Sequence, residues 1–89
     1  MKHYNIKVFG KVQGVGFRYS VMKMAMTYGI YGFVQNETDG SVYMEVEGEI
    51  MSLELFIGWC EKGPGYGRVD RITKSESNLR HYKDFSIRH

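Results

Sequence analysis

Over residues 4–9 the apolar side chains of Tyr4, Ile6 and Val8 alternate with Asn5 and Lys7. Period two is the pattern of a strand with one covered face, and it predicts the first strand. The alternation gives way to a glycine-punctuated stretch, residues 10–16, after which Phe17, Val21, Ala25 and Tyr28 recur at steps of four, four and three. Those steps return to one side of a helix, which Gly29 would cap at its C-terminus. Residues 30–36 read as a second strand and residues 41–47 as its return. The run Asn36-Glu37-Thr38-Asp39-Gly40 between them predicts a turn, because Asp-Gly tolerates the positive φ angles of a tight reversal. On the return strand Val42, Met44 and Val46 share the covered face, while Tyr43, Glu45 and Glu47 take the other, where the two glutamates are expected in solvent.

Ile50, Leu53, Phe56, Ile57 and Cys60 fall on one stripe of a second helix that Gly63-Pro64 ends, leaving residues 63–67 as a loop. Residues 68–75 form a weaker strand pattern in which Val69 and Ile72 break parity, implying a bulge or twist. Residues 84–88 alternate again. The order strand, helix, strand, strand, helix, strand, with a short closing strand, predicts an α+β fold. It matches the ferredoxin-like split βαβ sandwich, an antiparallel sheet with two helices on one face. No linker, repeat or low-complexity tract divides the chain, so residues 1–89 are expected to form one domain. Met22, Met24 and Met26 read as core and surface filler at helical spacing.

Composition narrows the classes of function. Eighty-nine residues, 43% of them hydrophobic, make one modest core and exclude a multidomain enzyme. A net charge of +2 is too weak a field to imply nucleic acid or an anionic membrane as a partner. The lone Cys60 closes no internal disulfide and favours a reducing cytoplasm, and no leader-like or membrane-spanning apolar run is present. His3, His81 and His89 are scattered, with no metal-ligand spacing, so the expected chemistry uses no metal and no cofactor.

The chemistry-bearing stretch is Gly10-Lys11-Val12-Gln13-Gly14-Val15-Gly16-Phe17-Arg18, a strand end passing through glycines into a helix that begins near Arg18. Glycines let successive N–H groups point into one concavity, and a helix N-terminus adds unpaired donors and a positive dipole end. Arg18 adds a planar fork suited to two oxygens of a phosphate, carboxylate or sulfate. Neither standard phosphate template fits: the Walker pattern would need glycine at Val15, and the dinucleotide pattern would need glycine at Tyr19. A tight loop with a solvated arginine is the commoner reading of a glycine loop taken alone. A second cluster, Gly32-Phe33-Val34-Gln35-Asn36-Glu37-Thr38-Asp39-Gly40-Ser41, places Asn36 at a strand end. There its amide either bonds its own backbone in an Asx-type turn or orients a water beside a bound anion.

Together the two clusters, with Asn36 standing 18 positions after Arg18, closely resemble the acylphosphatase family over essentially the whole chain. The resemblance implies hydrolysis of acyl phosphates without a metal. Arg18 and the loop N–H groups of Gln13, Gly14, Val15, Gly16 and Phe17 would bind the phosphate, and Asn36 would position the attacking water. Inorganic phosphate would be the product, sulfate a competing anion, and the enzyme a compact monomer. The chain departs from the family pattern at Lys11, where arginine is common, and at Phe33, where tryptophan is common. Gly65 and Gly67 also stand where proline and alanine are usual, so a more mobile loop is expected there. Two other readings compete. One is a regulatory module that senses a phosphorylated ligand without turnover. The other is an RNA-recognition domain, which Tyr31-Gly32-Phe33-Val34 echoes; there Gly29, Ile30 and Asn36 stand where a basic residue, a glycine and an aromatic belong. Asn36 separates enzyme from sensor.

Overall fold

A computed structural model describes residues 1–65 and 67–89 of the chain. The elements run β1 (Lys2–Lys11), α1 (Phe17–Tyr28), β2 (Tyr31–Asn36), β3 (Val42–Gly48), α2 (Ile50–Lys62), β4 (Arg68–Ser77) and β5 (Phe85–Arg88). The sheet order is β4-β1-β3-β2-β5. β1 is longer than its alternation implies because it is flanked on both sides, by β3 from Lys2 to Val8 and by β4 out to Lys11. The irregularity read from Val69 and Ile72 is a register shift between Phe9 and Gly10, where Phe9 faces Arg71 and Gly10 faces Val69. Of the loop expected over residues 63–67, Tyr66 lies outside the described residues.

Four strands form the expected antiparallel sheet, but β5 lies parallel to β2, with Gly32 opposite Phe85, so the sheet is mixed. The chain leaves β4 at one end of the sheet and re-enters from the same end, which sets β5 against β4 and therefore along β2. β4 and β5 are opposite edges, four inter-strand spacings apart, or about 19 Å. Seven residues, 78–84, make that crossing. Seven residues reach roughly 23–25 Å when extended, so the strap has little slack. The strap forms no helix or strand of its own, so any of its amides that is covered needs a partner elsewhere.

Glu47 supplies them, and the solvated face expected of Glu45 and Glu47 is corrected here. Glu47 is 1% exposed, and its carboxylate accepts from the N–H groups of Arg80 and, at 3.1 Å, Tyr82. Glu45 accepts from the Tyr82 hydroxyl at 2.7 Å and from Tyr43 at 2.7 Å. His3, wholly buried, sets Nδ1 2.7 Å from Glu47 Oε2 and Nε2 2.8 Å from Asn5 Oδ1, while Tyr82 stacks against it. Alternation along β3 assigns Glu47 to the face away from the helices, and the strap is what covers that face. The same cover removes the stacking platform that RNA recognition would need, since Phe33 is 4% exposed beneath the Arg88 guanidinium and the Tyr82 edge.

On the other face, Ile6, Val8, Val34, Val42, Met44 and Val46 of the sheet meet Phe17, Val21 and Ala25 of α1 and Leu53, Phe56, Ile57 and Cys60 of α2. Ile50, expected on the inner stripe of α2, is 43% exposed and stands as the first residue of the helix, outside the buried set Leu53, Phe56, Ile57 and Cys60. Gly29 closes α1 at φ 69° as its sequence position predicts, and Ile30 N–H reaches Ala25 O at 2.8 Å. Phe17, the first residue of α1, stacks on Trp59 of α2 at 6.2 Å between centroids and 6° between planes. That contact fixes the loop-to-helix junction on the core. Burial pushes the Cys60 thiol up, with the Glu61 carboxylate adding to the effect. A thiol held protonated and covered is a poor nucleophile. Native protein is therefore expected to leave Cys60 unmodified by a thiol-specific disulfide reagent over a time in which denatured protein reacts fully, as a colorimetric thiol assay would read.

Candidate active site

β1 delivers the chain to residues 12–16, and the loop turns into α1 through two left-handed glycines, Gly14 at φ 75° and Gly16 at φ 76°. A side chain at either position would be strained, and glycine is what lets the loop curl back over the helix start. Gly16 is the N-cap residue and offers no side chain to the helix, and no acidic residue stands in the first turn. The first N–H groups of α1 therefore keep their free donors and the positive end of the helix dipole is unneutralised.

Arg18, at the second position of that helix, donates from Nη1 to the Arg88 carbonyl at 3.2 Å and lies 3.4 Å from His89 Nδ1. Among the described residues it has no carboxylate partner, whereas Lys2, Lys7 and Arg68 pair with Glu76, Asp39 and Asp70. A guanidinium left without a counter-charge beside open helix donors is prepared for an anion.

Asn36 ends β2 across from this loop, and its exposed carboxamide bonds no other described residue. The Asx-type turn that sequence allows for it is made instead by Asp39, whose Oδ1 accepts from the Ser41 N–H at 2.9 Å and hydroxyl at 2.5 Å. Those two bonds, with Lys7 at 3.1 Å, hold the Asp39 carboxyl down at about 2. The turn is docked onto the glycine loop by Gln13, whose Nε2 donates to Glu37 O at 2.7 Å and Ser41 O at 2.8 Å. One side chain thus spans both sequence clusters and sets the distance between the loop and Asn36.

The two clusters meet around a cleft of about 180 Å³ lined by Val12, Gly14, Gly16, Phe17, Arg18, Tyr19, Asn36, Ile87 and His89. Of the residues expected to bind phosphate, Gly14, Gly16, Phe17 and Arg18 line it, and Asn36 joins them. Gln13 and Val15 do not: Gln13 faces the turn it clamps, and the Val15 side chain packs toward the core and Gly67. The buried Phe17 ring is an anchor, so its part in the cleft is its backbone. Sequence reasoning missed Tyr19, Ile87 and His89. Ile87 on β5 and His89 just after it come from the far end of the chain, and no local pattern announces that. Among the described residues no three His, Cys, Asp or Glu side chains gather as a metal site, and no helix is long and apolar enough to cross a membrane.

Known proteins resemble the chain along nearly its whole length. The family model described as Acylphosphatase matches residues 4–87. An acylphosphatase of Ligilactobacillus salivarius is 45% identical over 89 residues, covering 98% of each chain, and one of Leuconostoc mesenteroides is 44% identical, covering 99% of each. The crystal structure of acylphosphatase from Bacillus subtilis superposes with a TM-score of 0.96 at 38% identity, over 100% of both chains.

Proposed function

Because the chain belongs to the acylphosphatase family and so hydrolyses acyl phosphates to a carboxylate and inorganic phosphate, we propose that Arg18 and the loop around Gly14–Phe17 hold the phosphoryl group while Asn36 positions the attacking water. The observation that carries this reading is the convergence of Arg18, Asn36 and the open N-terminus of α1 on one cleft. Arg18 takes two phosphoryl oxygens through its fork, and the helix-start N–H groups, Gly16 and Phe17 among them, meet the third. The backbone N–H groups of Gln13 and Val15, expected in the same cradle, complete the loop behind it. Asn36 holds a water by its carboxamide oxygen, leaving the water lone pair aimed at phosphorus.

The water oxygen bonds to phosphorus as the bond from phosphorus to the acyl oxygen breaks, and the carboxylate leaves with the electron pair. The water proton passes to a phosphoryl oxygen, so no side chain has to act as base. A carboxylate is already a good leaving group, and transfer of this kind rewards position and charge stabilisation above covalent help. The reading needs no metal and no cofactor. Inorganic phosphate is product and sulfate a competing anion. The chain works as a monomer in the reducing cytoplasm, which a single unpaired Cys60 suits, and engages neither nucleic acid nor membrane. A phosphate sensor or an RNA module is not favoured, since the acylphosphatases of Ligilactobacillus salivarius and Leuconostoc mesenteroides match the chain over nearly their full length.

Asn36→Ala tests the water's placement. Loss of one positioned donor or acceptor in a reacting site lowers kcat by about 10²–10³. Hydrolysis of benzoyl phosphate should fall in kcat by that order, while inhibition by inorganic phosphate changes less than about threefold, because Arg18 and the loop are untouched. Unchanged turnover would remove Asn36 from the mechanism.

A further inference from the structure

Phosphate and water account for Arg18, Asn36 and the helix start, and one wall of the cleft is left over. Of the large hydrophobic side chains that stand exposed among the described residues, Met1, Tyr19, Met26, Tyr31, Ile50, Met51 and Leu55, only Tyr19 lines the cleft. It is 57% exposed and is the third residue of α1, directly after Arg18. Side chains of a helix lean toward its N-terminus, so a residue in the first turn extends toward the anion end and over whatever projects from it. The Lys23 ammonium lies 5.5 Å from the Tyr19 ring centroid, one turn on, which engages the ring and restrains its orientation. Ile87 adds hydrocarbon at the same cleft.

We infer that Tyr19, with Ile87, forms the subsite for the acyl group, and that the preferred substrates are acyl phosphates with planar, aromatic or conjugated acyl groups. This rests on the phosphate placement proposed above. At about 180 Å³ the cleft is smaller than the roughly 300–1,000 Å³ typical of sites that enclose a whole small molecule. The phosphoryl group fills its polar end, and the acyl group lies at the rim against the tyrosine ring. Stacking on an exposed ring of this kind gives a modest preference, set by contact area and ring geometry. Selectivity therefore takes the form of a graded preference among acyl groups.

The experiment compares kcat/KM for benzoyl phosphate and acetyl phosphate in the wild type, Tyr19→Ala and Tyr19→Phe. Both acyl groups leave as simple carboxylates, and the ratio between the two substrates is compared across variants, so leaving-group reactivity cancels. The wild type is expected to favour benzoyl phosphate. Tyr19→Ala should lower the benzoyl-to-acetyl ratio by about three- to tenfold, chiefly by raising KM for benzoyl phosphate, and Tyr19→Phe should restore it. A ratio in Tyr19→Ala equal to that of the wild type overturns the subsite while leaving the hydrolytic site standing. A folded wild type that turns over neither substrate overturns the placement of the hydrolytic site itself, and the subsite with it.

Discussion

Arg18→Ala is expected to lower kcat/KM for benzoyl phosphate by at least about 10²–10³, the usual consequence of removing one charge-stabilising donor from a reacting site. Both parameters should suffer, because the guanidinium holds the phosphoryl group in the ground state and meets the charge that gathers on its oxygens as the bond breaks. Inhibition by inorganic phosphate should weaken in parallel, which separates Arg18 from Asn36. The fold should persist: among the described residues the Arg18 side chain bonds just the Arg88 carbonyl and His89, both at the surface, and substitutions there shift Tm by less than about 4 °C. Arg18→Lys keeps the charge and loses the planar fork, so it should recover only part of the loss. Undiminished phosphate affinity in Arg18→Ala would refute this site.

Much of that site is legible in the sequence because its main parts are local. A strand running through Gly14 and Gly16 into a helix presents donors whatever the rest of the fold does, and Arg18 rides on the first turn of that same helix. Asn36 is legible for a similar reason, as a polar residue ending a strand before an Asp-Gly turn. The unread parts depend on crossings. Gln13 looks like one more loop residue until the turn after β2 is brought beside it, and His89 is a stray histidine until β5 joins β2. Glu47 is the plainest case. Alternation tells which face of β3 a residue takes, and it took Glu47 correctly to the face without helices. It cannot tell that seven residues must cross that face to connect opposite edges of the sheet. The length of the crossing follows from strand order, and strand order is a property of the whole chain.

That crossing makes Glu47→Ala the substitution with the largest expected effect on stability. The Glu47 carboxylate accepts from the Arg80 and Tyr82 N–H groups and faces His3 Nδ1, with both Glu47 and His3 shut away from water. Truncation strands two amides and a buried imidazole together, and removing one partner from such a set costs about 3–5 kcal/mol. In a domain of this size that is a fall in Tm of at least about 12 °C. Thermal unfolding followed by far-UV circular dichroism reads it, and a fall under about 4 °C would show that the strap is held by other contacts.

Acid should act on the same latch. Burial pushes the Glu47 carboxyl up, but the Arg80 N–H, His3 and the Tyr82 N–H together outweigh it and hold the group below its ordinary value; the Tyr82 and Tyr43 hydroxyls and His3 do the same for Glu45. A carboxyl lowered in the folded state binds protons more readily when unfolded. It contributes stability at pH values above the ordinary carboxylate value of 4.5, and that contribution is lost as pH falls below it through the folded value. Wild-type Tm should therefore hold near neutrality and drop below about pH 4.5, and Glu47→Gln, with one of the two carboxylates gone, should drop less steeply. Parallel pH profiles for the two proteins would place the acid sensitivity elsewhere. Because the strap leads directly into β5, whose Arg88 carbonyl receives the Arg18 guanidinium, loosening the latch should also loosen the arginine's support. Phosphate affinity should then weaken over the same acidic range in which Tm begins to fall.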